Sequence, residues 1–172
     1  MNLYLHLSIH LFFALLAGLI VWLFFRRNLF LALMGGLLGG FMVDFDHFID
    51  YFLAFSWNFQ LDWFVKGYEF LKLDQIHLFF HAWEYVIILI ALGIFLASKK
   101  AKVFFFSLAL GLFFHLSGDV IMNEGLQIRS YSMIYKIKSG FQIEKLVTPE
   151  HYQEDQKRRQ IPRIKEIIES TP

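Results

Sequence analysis

GGLLGGFMVDFDHFID, residues 35–50, combines four glycines, three aspartates and one histidine within a long apolar stretch of the chain. Neighbouring apolar residues extend this stretch to residues 29–55, which is long enough for a membrane-spanning helix. An ionisable side chain inside such a helix costs several kcal/mol unless it is paired, hydrated or bound to a metal. The stretch therefore predicts a membrane helix that carries part of a polar, metal-binding site.

The composition of the whole chain is typical of a membrane protein. Of its 172 residues, 57% are hydrophobic, only 18% are charged and 22 are Phe, which suits contact with lipid better than contact with water. The formal net charge of +1 argues against a nucleic-acid partner. Cysteine is absent, so any bound metal must be held by His, Asp, Glu or water. We expect an integral membrane protein of a bacterial or archaeal cell (inner) membrane, surrounded by membrane lipids.

Four apolar segments are long enough to span a bilayer. They cover residues 3–25, 29–55, 76–97 and 103–122. The first has no basic residues ahead of it and no convincing cleavage site, so it is predicted to be a retained helix. Two connections are very short, which favours an up-down-up-down bundle. The predicted fold class is all-α: a polytopic membrane protein with a four-helix transmembrane metal-binding domain (residues 1–125) and a polar C-terminal tail (residues 126–172).

The remaining segments carry weaker patterns. The four glycines of residues 35–40 form overlapping small-xxx-small pairs, which predict close helix packing rather than phosphate binding. The aromatic loop 56–75 is predicted to lie in the membrane interface. Residues 132–146 suggest a hairpin or an interfacial segment, and the chain from Pro162 suggests a helix with Ile164, Ile167 and Ile168 on one face. A bundle this small with a glycine-rich face is also suited to homo-oligomer formation.

The orientation in the membrane rests on the basic residues. Those in the loops at residues 26–28 and 98–102 favour a cytoplasmic position for both loops, which places the polar site toward the outer side. Arg129, Lys136 and Lys138 follow the last predicted span on the opposite side and nearly cancel this bias. The loop and tail residues Asp62, Glu69, Asp74, Glu124 and His151 are expected to be exposed, and Glu124 is the one of them most expected to have a functional role.

Ionisable residues recur inside all four predicted spans, and we expect them to meet in one layer. Measured from the basic loops, the innermost of them lie 13 to 18 residues away, which corresponds to about 20 to 27 Å along a helix. Spacings of three and four residues place the members of each helix on a single face. The eleven residues are His6, His10, Asp44, Asp46, His47, Asp50, His77, His81, Glu84, His115 and Asp119.

A mixed histidine and carboxylate cluster of this kind predicts a metal site, as in other helical bundles. Asp46, His47, His81, His115 and Asp119 are the predicted core, and His10, Asp50 and His77 are predicted as further ligands or as partners that orient the imidazoles. Asp44 and Glu84 are the candidate general bases, with metal ligation as their alternative. The alternative to metal binding for His6 and His10 is a position at the membrane interface. The alternative for residues 77–84 is a polar helix end.

The residues resemble a known family. The glycine-rich stretch leading to Val43-Asp44-Phe45-Asp46-His47, a His77-x3-His81 segment and His115-x3-Asp119 are together similar to the YdjM-like membrane-bound metal-dependent hydrolases, over about the first 125 residues. The family's first motif has Pro where this chain has Val43, and its second motif contains Arg, Gly and Ser, which are absent here. The family's distant similarity to zinc-dependent phospholipase C and single-strand nucleases implies phosphoester chemistry.

The expected function follows from the ligand types. Imidazole and carboxylate without sulfur favour zinc first and manganese or iron next, and the number of candidates suits two or more ions. A metal-dependent hydrolase of a phosphoester or ester in a lipid or lipid-linked substrate is the leading prediction. A metal-ion or proton transporter, or a metal-handling protein, is the first alternative. A haem protein is a minor one, because buried carboxylates gain nothing from haem iron.

Overall fold

The structure is a computed structural model that describes residues 3–123 and 125–170, and within them it contains helices and turns but no strand. The α-helices are α1 (Leu3–Phe25), α2 (Leu29–Gly40), α3 (His47–Phe55), α4 (Leu61–Val65), α5 (Tyr68–Leu73), α6 (Trp83–Phe95), α7 (Lys99–Met122), α8 (Met133–Ser139), α9 (Ile143–Leu146), α10 (Pro149–Arg159) and α11 (Pro162–Ser170). Two 3₁₀ turns cover Met42–Asp46 and Ile128–Tyr131. The predicted all-α class is confirmed for the described residues.

The chain forms two compact units. The first, the apolar unit, contains the chain up to Asp44 together with Phe80–Met122, and therefore holds α1, α2, α6 and α7. The second, the mixed unit, contains Phe45–Phe79 together with the chain after Met122, and holds the other helices.

The described helices support fewer membrane spans than the sequence predicts. Two of them, α1 and α7, are apolar and long enough to cross a bilayer, and a third span exists if α2 and Met42–Phe55 count as one broken helix. The predicted span at residues 76–97 is helical only in α6, whose 13 residues extend about 20 Å, short of the roughly 30 Å hydrocarbon core. Positive φ at Leu78 and an extended Ala82 prevent an earlier helix start. The four-span bundle is not confirmed.

The helices of the apolar unit alternate in direction along the chain. His10 near the start of α1 contacts His115 near the end of α7, whereas Phe25 at the end of α1 stacks on Phe106, so these two helices are antiparallel. His81, just before α6, contacts His115, and Gly93 near the end of α6 lies against Phe106, so α6 is also antiparallel to α7. These directions bring the histidine-bearing ends of three segments together.

Glycines allow α2 to lie directly against its two neighbours. A Cβ atom added to Gly40 would lie 2.9 Å from Cα of Ala14 on α1, and one added to Gly111 on α7 would lie 2.6 Å from the carbonyl oxygen of Gly36. The same addition at Gly39 would overlap the carbonyl oxygen of Leu108. Backbone atoms occupy the space that side chains would need, so the packing role predicted for the glycines is confirmed.

Among its described residues, the mixed unit contains at least two apolar cores. Tyr51 and Phe55 of α3 pack with Tyr68 of α5 and with Ile164 of α11, and the partly buried Ile167 and Ile168 lie against the same cluster. The helix predicted from Pro162 and its apolar face are therefore confirmed. The second core joins Ile76 and Leu78 to residues of α9, among others.

The hairpin alternative for residues 132–146 is wrong. The segment forms α8, which ends at Gly140 with φ of 66°, and then α9. A left-handed glycine after the last helical turn is a frequent helix stop because it lacks the Cβ that this conformation would strain. The Ser139-Gly140 pair that suggested a turn between strands is thus the C-terminus of a helix.

Candidate metal centre

Six of the predicted residues converge in the apolar unit, in what we call the metal cluster. They are His6, His10, Asp44, His81, His115 and Asp119, and their ligand atoms form overlapping groups of three within 4.8 Å. His6 and His10 share one face of α1, and His115 and Asp119 share one face of α7, because a spacing of four residues is close to one helical turn. Asp44 comes from the 3₁₀ turn after α2, and His81 from the segment before α6.

Four of these side chains place donor atoms close to the Nε2 atoms of His81 and His115. Nε2 of His115 lies 3.0 Å from Nε2 of His81, 3.4 Å from Oδ1 of Asp44 and 3.3 Å from Oδ2 of Asp119. Nε2 of His81 lies 3.4 Å from the same Asp44 oxygen and 3.5 Å from the same Asp119 oxygen. We refer to these four donor atoms as the inner group.

The spacing of the inner group fits tetrahedral coordination. Donor atoms roughly 2.0 to 2.1 Å from a tetrahedral zinc ion lie about 3.3 Å apart. The five separations that involve Nε2 of His81 or His115, from 3.0 to 3.5 Å, scatter around this value. Two imidazoles and two carboxylates are also donors that zinc accepts. The geometry therefore suits one divalent ion.

The other oxygen of Asp119 faces a second pair of histidines. Its Oδ1 lies 3.3 Å from Nε2 of His10 and 4.0 Å from Nε2 of His6. His6, His10 and Asp44 also place ligand atoms within 4.8 Å of one another. This outer group is wider than the inner group. Asp119 thus lies between two pairs of imidazoles and presents one oxygen to each pair.

The protonation of the cluster also favours a cation. Nδ1 of His115 lies 3.2 Å from the carbonyl oxygen of Gly40, so it carries the proton and leaves the Nε2 lone pair directed into the inner group. Nε2 of His10 and Oδ1 of Asp119 are buried and form no hydrogen bond within the described part of the chain, although they are 3.3 Å apart. Buried polar atoms without hydrogen bonds are costly, and a metal ion that accepts their lone pairs removes this cost.

Asp50 and His77 form a separate pair in the mixed unit. Oδ1 of Asp50 lies 2.5 Å from Nδ1 of His77, and its Oδ2 accepts hydrogen bonds from the backbone N–H groups of His77 and Leu78. Lys136 donates from Nζ to the carbonyl oxygen of Leu78 and so fixes the other side of this segment. Of the two roles that the sequence leaves open for Asp50, ligand or orienting partner, this geometry favours orientation of His77.

The other predicted residues lie as follows. Asp46 ends its 3₁₀ turn in a fully buried position, and His47 begins α3 with its ring against Phe70, both within the mixed unit. Glu84 is half-buried in the first turn of α6 and belongs to none of the converging ligand groups among the described residues. Glu124 lies outside the described residues.

For two members of the cluster, the structure bears on alternatives that the sequence left open. His6, which the sequence leaves between a ligand and an interfacial position, is part of the outer group. Asp44, predicted as a base or ligand, lies at hydrogen-bond distance from two imidazoles. The orienting carbonyl of Gly40 is absent from the sequence prediction, because a backbone acceptor leaves no residue-type signal.

The same geometry bears on the haem alternative. Ring centroids of His10 and His115 are 4.1 Å apart, those of His6 and His10 are 4.3 Å apart, and those of His81 and His115 are 4.9 Å apart. These imidazoles contact one another directly, so a porphyrin does not fit between them. A compact ion suits the space better than a planar macrocycle.

Comparison with known proteins adds no assignment: the chain matches no family model, and no curated protein or solved structure shows significant similarity to it.

Proposed function

We propose that this chain is a membrane-embedded metal-dependent hydrolase that cleaves a phosphoester or ester bond in a lipid or lipid-linked substrate. The observation that carries the proposal is the position of Asp119, whose two carboxylate oxygens face two different histidine pairs. A carboxylate shared in this way is typical of two-metal hydrolytic sites, where the ions hold the attacking and leaving oxygens of a substrate.

The position of the cluster supports a substrate from the bilayer. Its histidines on α1 and α7 belong to the two helices that are apolar and long enough to span a membrane. A lipid reaches such a site by lateral diffusion, whereas a water-soluble substrate would have to leave water. We further propose that α2 with α3, and α6 with the segment before it, complete a four-span bundle. The site would then open toward the outer side of a bacterial or archaeal inner membrane.

We assign the residues of the cluster to two proposed metal ions. His81, His115, Asp44 and Asp119 would hold one divalent ion, zinc by preference, and His6 and His10 with the other oxygen of Asp119 would hold a second. When bound, such ions polarise the scissile bond and lower the pKa of water toward neutrality. The carbonyl of Gly40 keeps the proton of His115 on Nδ1, so that Nε2 stays available as a ligand.

Glu84 is the proposed proton carrier. It lies three residues after His81 and is half-buried in the first turn of α6. A carboxylate near the cluster can take a proton from the attacking water and return it to the leaving oxygen. Asp44 is engaged with two imidazoles, so we assign it to the ligands instead.

The resemblance to YdjM-like hydrolases points in the same direction. Four of the six cluster residues, Asp44, His81, His115 and Asp119, lie in the segments that carry it, and His6 and His10 of α1 come from outside the motifs. This chain departs from the family pattern, because Val43 replaces the Pro of the first motif and the Arg of the second motif is absent. The hydrolase proposal therefore depends chiefly on the metal cluster itself.

Metal content tests the first half of the proposal. Elemental analysis of the detergent-purified protein should give about two equivalents of zinc, manganese or iron per chain. Asp119→Asn should lose most of both, because each ion loses a charged donor, while His81→Ala and His10→Ala should each lose about one. Ser117→Ala is the matched control, since Ser117 is a half-buried α7 residue whose hydroxyl donates to the carbonyl oxygen of Phe113 in its own helix.

Turnover tests the second half. The metal-loaded wild type should release product from a panel of phospholipids and lipid esters, and Glu84→Gln should slow this release by about 100-fold or more with its metal content unchanged. A wild type that binds metal but cleaves nothing in the panel would favour a metal-handling protein. A wild type that binds no metal after reconstitution would overturn the proposal as a whole.

A further inference from the structure

An apolar groove runs along the apolar unit between α1 and α6, with α7 as its floor. It encloses about 580 Å³, within the usual range for ligand sites. The side chains that line it are Ile20, Val21, Phe24, Phe25, Val86, Ile90, Phe106, Ala109, Leu110 and Phe113, all of them apolar. The volume and the uniform lining suit a hydrocarbon chain and offer no partner to a polar ligand.

One end of the groove lies beside the metal cluster. Phe113 is two residues before His115 on α7, and Val86 is five residues after His81. The ring of Phe113 also contacts Trp83 at the start of α6, with centroids 6.1 Å apart. The groove and the cluster therefore share the same helices within one compact unit.

Aromatic rings line the other end of the groove. Phe25 and Phe106 stack with centroids 5.7 Å apart and planes inclined by 21°. From Phe106 to Phe113 the helix rises about 10 Å. The groove is thus a channel of limited length that points from the hydrocarbon region toward the metal cluster.

We propose that this groove holds one acyl chain of a lipid whose polar group reaches the metal cluster. The inference rests on the proposed function, and it adds the part of the substrate that the protein aligns. An occupant with a hydrocarbon chain at one end and a ligand for the cluster at the other is an amphiphile, and lipids surround these helices.

The groove acts by alignment rather than by attraction. Lipid tails are as apolar as the groove, so transfer of the chain from the bilayer gains almost no hydrophobic free energy. Rigid walls of Phe and branched side chains instead restrict the directions in which the chain lies. Restricting the chain brings the attached polar group to the cluster in a repeatable orientation, which is how positioning raises a reaction rate.

Photo-crosslinking tests the groove without any turnover. Wild-type protein in vesicles that contain a phosphatidylglycerol with a mid-chain diazirine should be labelled on groove residues of α6 and α7. Val86→Trp fills the groove and should reduce this labelling by about tenfold. Ile87→Trp is the matched control, because Ile87 is the next residue of α6 and is 69% exposed, outside the groove lining. Its labelling should remain near that of the wild type.

The outcomes separate this inference from the hydrolase proposal. Ile90→Trp, one turn further along the groove, repeats the test if Val86→Trp does not fold. Equal labelling of groove residues and of outward-facing residues such as Ile87, or labelling that Val86→Trp leaves unchanged, would overturn the groove assignment even in an active enzyme. Groove-specific labelling in a protein that cleaves no lipid would retain the lipid site and reject the hydrolase.

Discussion

Single neighbours decide what each histidine of this chain can do. His115 and His77 both have Nδ1 beside an oxygen, but in His115 the partner is a backbone carbonyl and in His77 it is the carboxylate of Asp50. A backbone carbonyl beside Nδ1 fixes the tautomer and directs Nε2 toward the inner group, whereas the carboxylate of Asp50 holds the ring of His77 within the mixed unit. His115 is therefore placed to bind a metal, and His77 is oriented by Asp50.

A buried carboxyl group gives the mixed unit a pH dependence of its own. Glu69 of α5 is 1% exposed, and its Oε2 forms no hydrogen bond within the described residues. Burial raises the pKa of Glu69 from 4.5 to about 8, and the negative charge of Asp50 adds to the increase. In the unfolded chain the same group ionises near its ordinary pKa, so folding takes up a proton between these two values.

The free energy of unfolding should therefore fall as the pH rises from about 4.5 to 8. The slope due to Glu69 is at most about 1.4 kcal/mol per pH unit, and it disappears below 4.5, where both states are protonated. Glu69→Gln should show a flatter dependence of Tm on pH than the wild type over this window. Glu144→Gln, an exposed acid of α9, is the control and should follow the wild type. Parallel curves for Glu69→Gln and wild type would contradict the assignment.

At the level of elements, α7 organises the apolar unit. It packs against α1, α2 and α6, and it supplies both His115 and Asp119. Its contact with α2 depends on missing side chains, because the glycines of α2 face backbone atoms of α7. Backbone atoms cannot move aside as a flexible side chain can, so this contact tolerates little added volume.

Gly39→Ala should consequently destabilise the protein. The new methyl group would overlap the backbone of Leu108 and come within 3.0 Å of the amide nitrogen of Leu112. We expect a loss of about 1 to 3 kcal/mol, despite the better helix propensity of Ala, measured as a lower Tm in detergent. Gly93→Ala is the matched control, since the atoms nearest to its methyl group would belong to the side-chain ring of Phe106, at 3.1 Å, and not to a backbone. Equal Tm changes in the two variants would argue against the backbone contact.

The elements also show where a hydropathy pattern misleads. The segment 76–97 is apolar enough to suggest one helix, yet its first seven residues form a turn that carries His77 and His81. Asp50 and Lys136 hold the backbone of this turn at Leu78, where φ is 38°. Hydrogen bonds from distant segments replace those that a helix would have formed, so local composition cannot reveal the break.

At the scale of the whole molecule, the membrane topology is the property to test. The chain contains no Cys, so each introduced cysteine is its only thiol. Asn28→Cys and Ser98→Cys lie in exposed connections at one end of the apolar unit, and Tyr4→Cys and Ile121→Cys are exposed at the other. We expect a membrane-impermeant maleimide to label the first two from one side of the membrane and the last two from the opposite side.

The comparison of right-side-out and inverted vesicles assigns the sides. Our proposal places Asn28 and Ser98 in the cytoplasm and the end that carries Tyr4 and Ile121 outside. Labelling of all four from a single side would show that α1 and α7 do not cross the bilayer, and the lipid-facing site would have to be abandoned.

The sequence alone determined the helical class, the apolar helices suited to a membrane and the set of residues able to bind a metal. These properties depend on composition and on spacings of three or four residues, which act within one helix. The selection of ligands was decided only by tertiary structure: His6 and Asp44 join the cluster, whereas Asp50 turns to His77. Which carboxylate meets which imidazole depends on how closely distant segments approach. Here that approach is set by glycine contacts and by the directions of the packed helices.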